Sequence, residues 1–131
     1  MELKSPSKDE VGVENAYHQI RNYMQDIPSM FYYNAICVVS DLSTNKAGTI
    51  TSGLDRFMEW KTKDGNYEET SYAQFDTFYE GMFQKKRLLD ILKNFILFSG
   101  TGTGRFKVLA GYHQYFAVRK AIEKAKIATK T

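Results

Sequence analysis

Cysteine is nearly missing from this chain of 131 residues, and its scarcity excludes a small fold held together by disulfides. The single cysteine, Cys37, stands inside an apolar run, which predicts a buried thiol. Cysteine use of this kind is typical of a reducing compartment. The chain also lacks an apolar run of transmembrane length and a signal-peptide pattern. We therefore expect a cytoplasmic protein with no membrane partner.

A phosphate-binding loop of the Walker type is absent as well, because neither Gly-Lys-Ser nor Gly-Lys-Thr occurs anywhere in the sequence. The glycine-rich stretch SGTGTG at 99–104 has the composition of such a loop. It lacks the lysine and hydroxyl residue that would follow, and no strand-to-helix context is evident. We predict a flexible loop there.

Aromatic residues, in contrast, are abundant at 15%, with nine Tyr and nine Phe. Most of the rings recur at helical spacing, which favours a core filled with rings over rings that stack on nucleic-acid bases. The formal net charge is +3 and the pI is about 8.9. This mild basicity permits contact with nucleic acid without requiring it.

The first part of the chain has the pattern of an α/β layer. Apolar residues three and four apart predict a helix over 13–27, which Pro28 ends. A nearly continuous apolar run predicts a strand over 34–41 that is covered on both faces. Short strands are also predicted at 2–4 and, from its β-branched residues, at 48–53.

The second part has a predominantly helical pattern. A polar loop with a turn at Asp64 and Gly65 precedes it. A capping-box spacing of Ser71 and Gln74 opens a predicted helix whose apolar stripe runs to Phe83, and a second stripe covers 86–98. The last predicted helix covers 108–125, and its lysines are typical of a solvated face.

Four side chains near the amino terminus are candidates for chemistry. Glu2 and Lys4 alternate along a strand, so they project from one face, where a carboxylate and an ammonium could hold a divalent metal and orient a water. From the tripeptide alone, a solvated strand with a weak ion pair is the favoured interpretation. Gln19 and Tyr23 are four residues apart and lie one above the other on one side of the predicted helix.

The order of these motifs resembles one family, the R subunit of type I restriction enzymes, which combines a nuclease with a DNA-translocating ATPase motor. The resemblance covers nearly the whole chain. Its motifs, in order, are ELKSP, AYHQIRNY, IPSMFYYNAICVVSD, KAGTIT, RFMEWK, LLDILKNFILF and KVLAGYHQYFAVRKAI. The most specific are IPSMFYYNAICVVSD and YHQYFAV.

The resemblance implies roles for individual residues. Glu2 and Lys4 match the Glu-x-Lys half of the RecB-like nuclease motif, with Glu2 as a Mg²⁺ ligand and Lys4 positioning or activating the attacking water. Gln19 and Tyr23 match the QxxxY motif, whose helix packs beside the catalytic strand; their side chains would support the catalytic site or, with Lys4, contact DNA. Gln114 matches a glutamine ahead of the motor that would contact the adenine of ATP; the alternative is a helix-surface glutamine.

Two departures from the family pattern shape the prediction. The acidic residue on the strand before Glu-x-Lys is missing, because only Met1 precedes Glu2, and the sequence ends before any Walker loop. We expect an internal piece of a larger protein. Its fold would be α/β: an incomplete small mixed sheet flanked by helices. Residues 1–60 would form the carboxyl-terminal part of a RecB-like nuclease domain, and residues 61–131 a helical connector toward the motor.

The parent protein would cleave double-stranded DNA with Mg²⁺ and ATP, in a complex with modification and specificity subunits. Whether this chain is itself an enzyme stays open, and we expect it to be inactive alone. The alternative is a stand-alone, non-enzymatic DNA-binding or scaffold module whose basic run at 85–87 binds phosphates weakly. An uncovered sheet edge would in addition predict self-association or a disordered amino terminus.

Overall fold

A computed structural model describes residues 1–3, 12–41, 43–66 and 74–130. The described residues form a mixed α/β fold. Its elements are β1 (Glu2–Leu3), α1 (Val13–Asp26), β2 (Cys37–Ser40), β3 (Asn45–Gly48), α2 (Gln74–Met82), α3 (Lys85–Asn94), β4 (Ile96–Ser99), β5 (Phe106–Leu109) and α4 (Tyr112–Thr129). Short 3₁₀ turns lie at Pro28–Phe31 and Leu54–Arg56. Within these ranges, no helix is long and apolar enough to cross a membrane.

The first sheet is small and mixed, as the sequence predicted. Its order is β1-β2-β3, with β1 parallel and β3 antiparallel to the central strand β2. Glu2 lies opposite Val39, and Cys37 lies opposite Gly48. The predicted strand at 34–41 is thus shorter than expected, because regular pairing begins only at Cys37.

Helix α1 covers one face of this sheet. Its buried residues Val13, Ala16 and Ile20 pack with Cys37 and Val39 in one core cluster. The helix ends where the sequence predicted. The Ile27 N–H makes the last helical hydrogen bond, to the Tyr23 carbonyl, and Pro28 has no N–H with which to continue the pattern. The buried stripe at three- and four-residue spacing therefore explains both the helix and its place on the sheet.

The other face of the sheet packs against the second part of the chain. Val38 and Ala47 join a ring-rich core cluster made of Trp60, Phe78, Met82, Ile91, Phe95 and Tyr115. Since Cys37 and Val39 face α1 while Val38 faces this cluster, β2 is covered on both sides, as its continuous apolar run predicted. Most of the aromatic abundance therefore belongs to the core.

The second part contains a β-hairpin where the sequence pattern predicts the ends of two helices and a flexible loop between them. The predicted helix over 86–98 ends at Asn94, and the predicted helix over 108–125 begins only at Tyr112. Between them β4 and β5 pair antiparallel, with Leu97 opposite Val108. Gly100 and Gly102 adopt positive φ in the connecting loop, which lets the chain reverse. Short apolar runs fit either a helix or a strand, and here pairing decided the outcome.

Two smaller expectations have different outcomes. The predicted strand over 48–53 is wrong: β3 ends at Gly48, and the hydroxyls of Thr49 and Ser52 hold the next residues in a turn. The turn at Asp64 and Gly65 is confirmed, since Gly65 has a positive φ and the Asp64 carboxylate accepts the Asn66 N–H. The capping box at Ser71 lies outside the described residues.

Candidate functional site

The first candidate region is the corner where α1 crosses the parallel pair of β1 and β2. Helix α1 contacts both strands. Glu2 belongs to the edge strand β1, opposite Val39, and its side chain lies outside the described part, as does Lys4 altogether. The structure thus places the backbone of one predicted catalytic residue in a strand that α1 packs against.

Gln19 and Tyr23 lie together on one flank of the buried stripe of α1. Both side chains are half-buried, one helical turn apart. Neither has a hydrogen-bond partner among the residues that the structure describes. The Gln19 amide and the Tyr23 hydroxyl are therefore partly shielded from water and can form hydrogen bonds with another group.

The polar residues at the carboxyl end of β2 are used by the turn into β3. Asp41 accepts hydrogen bonds from the Ser43 hydroxyl at 2.8 Å and from the Thr44 N–H at 2.6 Å. The buried Ser40 hydroxyl donates to Asn45. Across the described ranges, no three His, Cys, Asp or Glu side chains lie close enough together to hold a metal ion. The side chains of Ser40, Asp41 and Asn45 thus make hydrogen bonds within the β2–β3 turn.

Cys37, the only thiol, has the surroundings of a structural residue. It is 2% exposed, and burial raises the pKa of its thiol. Its sulfur contacts the side-chain oxygen of Asn34 at 3.5 Å. A buried thiol that stays protonated is a poor nucleophile, so Cys37 is not a candidate for catalysis.

Gln114 caps the amino terminus of α4. Its side-chain oxygen accepts the N–H of Gly111 at 2.9 Å, the reciprocal half of a capping box. Its amide hydrogens have no partner within the described ranges. The Gln114 side chain is exposed, as expected for a glutamine on the helix surface. It also lines a groove.

That groove, which we call the α4 groove, has a volume of about 770 Å³. One wall is apolar and comes from Met58 and from the β5 residues Phe106 and Val108. Polar groups surround it: the 51–56 segment with Asp55 and Arg56, and His113 and Gln114 at the start of α4. Clefts with apolar walls and a few polar groups are the usual form of small-molecule sites.

A charged network that the sequence analysis missed anchors α4 to α3. The carboxylate of Asp90 accepts hydrogen bonds from the Tyr115 hydroxyl at 2.9 Å, from Asn94 at 2.7 Å and from Arg119. The Arg119 guanidinium also lies 5.2 Å from the centroid of the Phe95 ring. Burial by itself would raise the pKa of Asp90, but the hydrogen bonds from Asn94, Tyr115 and Arg119 outweigh it and lower that pKa.

A second missed feature joins the hairpin to the first sheet, and we call it the threonine clasp (Thr49, Thr51 and Lys107). The hydroxyls of Thr49 and Thr51 both donate to the Lys107 carbonyl, at 2.7 and 3.1 Å. The Thr51 hydroxyl also accepts the Lys107 N–H at 2.8 Å. The β-branched residues at 48–53 predicted a strand, but nothing in the sequence indicated that the two threonines bond to the backbone of Lys107.

Comparison with known proteins identifies relatives for nearly the whole chain. Residues 1–56 match the family model described as the type I restriction enzyme R protein N terminus. Over 98% of its length the chain is 30% identical to the type I restriction enzyme HindI endonuclease subunit of Haemophilus influenzae. It is also 30% identical, over 94% of its length, to the putative type I restriction enzyme MjaIXP endonuclease subunit of Methanocaldococcus jannaschii.

The matched region is a small part of these relatives. The chain spans 12% of the first and 13% of the second, about an eighth of their length. No solved structure matches it.

Proposed function

The chain is a relative, over nearly its whole length, of the R or endonuclease subunits of type I restriction enzymes, and from that relationship we propose that it forms part of a DNA-cleaving, ATP-driven translocating subunit. The observation that carries the proposal is the packing of α1, with Gln19 and Tyr23 on its flank, against the strand that contains Glu2. This is the helix-beside-strand arrangement that a QxxxY helix in a RecB-like nuclease would need.

In this proposal the α1 corner is one wall of a nuclease site for double-stranded DNA. The half-buried amide of Gln19 and hydroxyl of Tyr23 position the catalytic strand or contact a DNA phosphate, and Lys4 supports the attacking water. Magnesium belongs to the complete subunit, with Glu2 as one ligand. Among the described residues no three His, Cys, Asp or Glu side chains lie close enough together to hold a metal ion, so its other ligands would come from outside those residues.

The α4 groove is the proposed contact for ATP. Gln114 offers its free amide hydrogens to the edge of adenine, and its oxygen can accept from the base while it caps Gly111, since a carbonyl oxygen has two lone pairs. Phe106 and Val108 supply an apolar wall for the flat face of the base. The motor that this nucleotide drives would lie elsewhere in the complete subunit.

The proposed setting is a cytoplasmic complex with modification and specificity subunits, in which the DNA sequence is selected by the specificity subunit. The chain alone is proposed to be inactive, because a single carboxylate is a poor Mg²⁺ site. Strong Mg²⁺-dependent cleavage of DNA by the purified chain would contradict this part of the proposal.

The decisive experiment places Gln19→Ala and Tyr23→Phe together in the complete R subunit, assembled with its partner subunits. We expect DNA cleavage to fall by about ten- to a hundredfold, as for other supporting groups of a metal-dependent site, while ATP-driven translocation continues. Gln25→Ala, an exposed glutamine on the opposite side of α1, is the matched control. Cleavage at the wild-type rate in the double variant would refute the nuclease-wall role of α1.

A further inference from the structure

Three exposed aromatic side chains take part in neither proposed site. Tyr33 is fully exposed, and Tyr32 and Phe98 are each 71% exposed. We call these three residues the aromatic platform. Aromatic rings contribute most to stability or binding when their apolar surface is buried. Several exposed rings therefore indicate a surface that contacts another molecule.

The platform comes from two distant parts of the chain that converge at Lys107. The ammonium of Lys107 donates to the backbone carbonyl of Asn34, the residue after Tyr33, at 2.5 Å. The same ammonium lies 5.9 Å from the centroid of the Phe98 ring. A single cation therefore joins the tyrosine segment to the face of the hairpin that bears Phe98.

Local hydrogen bonds fix the backbone beneath the rings. The Tyr32 N–H donates to the Ser29 carbonyl at 3.4 Å, and the Asn34 N–H donates to the Phe31 carbonyl at 3.1 Å. Phe98 is held opposite Lys107 in the β4–β5 ladder. The backbone under the platform is thus ordered before any ligand binds, which lowers the entropic cost of binding.

The two chain segments that carry the platform rings have charged residues of one sign. The sequence segments 27–40 and 91–111 contain no Asp or Glu, whereas the second contains Lys93, Arg105 and Lys107. Exposed rings accompanied by cations and no carboxylate complement a polyanion that carries flat apolar groups. Single nucleic-acid strands have that chemistry, since their bases stack on aromatic side chains and their phosphates pair with Lys and Arg.

The two faces of the hairpin differ in a way that supports this choice. Phe98 and Lys107 share one face, whereas Leu97, Phe106 and Val108 share the other, because side chains alternate along paired strands. The second face is mostly aliphatic apart from Phe106 and borders the α4 groove. The hairpin therefore places its two phenylalanines in different environments.

We propose that the aromatic platform binds an unpaired stretch of a DNA strand, whose bases stack on Tyr32, Tyr33 and Phe98 and whose phosphates lie near Arg105 and Lys107. This inference rests on the proposed function, which is the reason for choosing DNA as the ligand. It adds to that function a surface that binds a single strand. A duplex keeps its bases stacked on each other, so it would not engage the rings in this way.

The test measures fluorescence anisotropy of the full chain with labelled oligothymidylate of about 20 nucleotides and with a duplex of the same length, at low salt. We expect the single strand to bind more tightly than the duplex. Tyr33→Ala and Phe98→Ala should each weaken it by about tenfold, within the range of base–aromatic stacking. Leu97→Ala, an exposed apolar residue on the opposite face of the same hairpin that lines neither proposed site, should leave binding unchanged.

Photocrosslinking gives a second readout that truncation of a ring does not affect. Benzoylphenylalanine at position 33 should crosslink to the strand, and at position 97 it should not. Equal weakening by Phe98→Ala and Leu97→Ala, tighter binding of the duplex, or absence of strand binding would each overturn the platform. Self-association of the chain that is abolished by Tyr33→Ala would also overturn the proposal, because the rings would then contact a second copy of the chain. The proposed function is tested separately by cleavage in the complete subunit, so either can fail alone.

Discussion

The hydroxyl of Thr49 donates a hydrogen bond of 2.7 Å to the backbone carbonyl of Lys107, which lies 58 residues further along the chain. Thr49 is only 1% exposed, so this bond crosses the buried boundary between the first sheet and the hairpin. The hairpin leads directly into α4, and α4 carries Gln114. The threonine clasp is therefore one of the links that hold the α4 groove in place relative to the first sheet.

Replacement of the buried hydroxyl of the clasp should destabilise the chain. Thr49→Val keeps the shape of the side chain but removes a donor to the Lys107 carbonyl, so we expect the free energy of unfolding to fall by about 1–2 kcal/mol. Urea unfolding followed by circular dichroism measures this loss. Thr103→Val, an exposed threonine in the hairpin loop, is the control and should change stability little. An unchanged midpoint for Thr49→Val would show that the clasp contributes no net stability.

The Asp90 network should make stability depend on pH. Its pKa is lowered in the folded chain, so the stabilisation is fully present above the unfolded-state value of about 3.9 and is lost as pH falls through the folded-state pKa. Asp90→Asn should therefore destabilise the chain at neutral pH by about 1–2 kcal/mol. The difference from wild type should shrink in acid.

Thermal unfolding at neutral pH and below pH 4 (about the ordinary carboxyl pKa) measures this difference. Asp26→Asn, an exposed acidic residue at the end of α1, is the matched control. A difference between wild type and Asp90→Asn that stays constant over the whole range would contradict the role given to the Asp90 carboxylate.

Two substitutions at Gln114 separate its capping role from the proposed adenine contact. Gln114→Glu keeps an oxygen that accepts the Gly111 N–H and adds negative charge in the first turn of α4, so the chain should be as stable as wild type or slightly more so. Gln114→Leu removes the cap and should cost about 0.5–1 kcal/mol. Thermal unfolding of the chain compares the two.

In the complete subunit, Gln114→Glu should nevertheless raise the KM for ATP by about tenfold, because the amide hydrogens are lost, and a tenfold change corresponds to about 1.4 kcal/mol. If the KM for ATP changes only in Gln114→Leu, the variant that also loses stability, Gln114 acts as a helix cap and does not contact adenine.

Gly81 should not tolerate a side chain. A Cβ at this position of α2 would lie 2.3 Å from the Trp60 ring and 2.6 Å from the Thr62 carbonyl oxygen, which is backbone and cannot rotate away. Gly81→Ala should therefore lower the free energy of unfolding by at least about 2 kcal/mol, although alanine favours a helix. Gly104→Ala meets only an ordinary contact at 3.7 Å and is the control. Equal melting temperatures for the two variants would mean that Trp60 can move away from α2.

The candidate residues differ in how far the sequence could place them. The spacing of Gln19 and Tyr23 put them on one side of a helix, and the structure has them half-buried on one flank of α1. Their role in catalysis stays a prediction, as does that of Glu2 and Lys4. Asp90 could not have been singled out, because its partners Tyr115 and Arg119 are more than twenty residues away along the chain.

Local chemistry explains what the sequence by itself determined. The stripe of Val13, Ala16 and Ile20 with Pro28 after it defined α1, and the continuous apolar run around Val39 required a strand buried on both faces. The ordered motifs also indicated the family, which the relatives confirm. These features depend on residues that are close in sequence, so their periodicity can be recognised directly.

Tertiary structure decided the rest. FILF and FKVL carry apolar residues that suit a helix or a strand, and their antiparallel pairing, the threonine clasp and two glycines with positive φ made them a hairpin. That hairpin supplies Phe106 to the α4 groove and carries Phe98 on its other face. Pairing between residues that are distant in sequence is a property of the folded chain, because a strand, unlike a helix, finds the partners of its backbone hydrogen bonds on another segment.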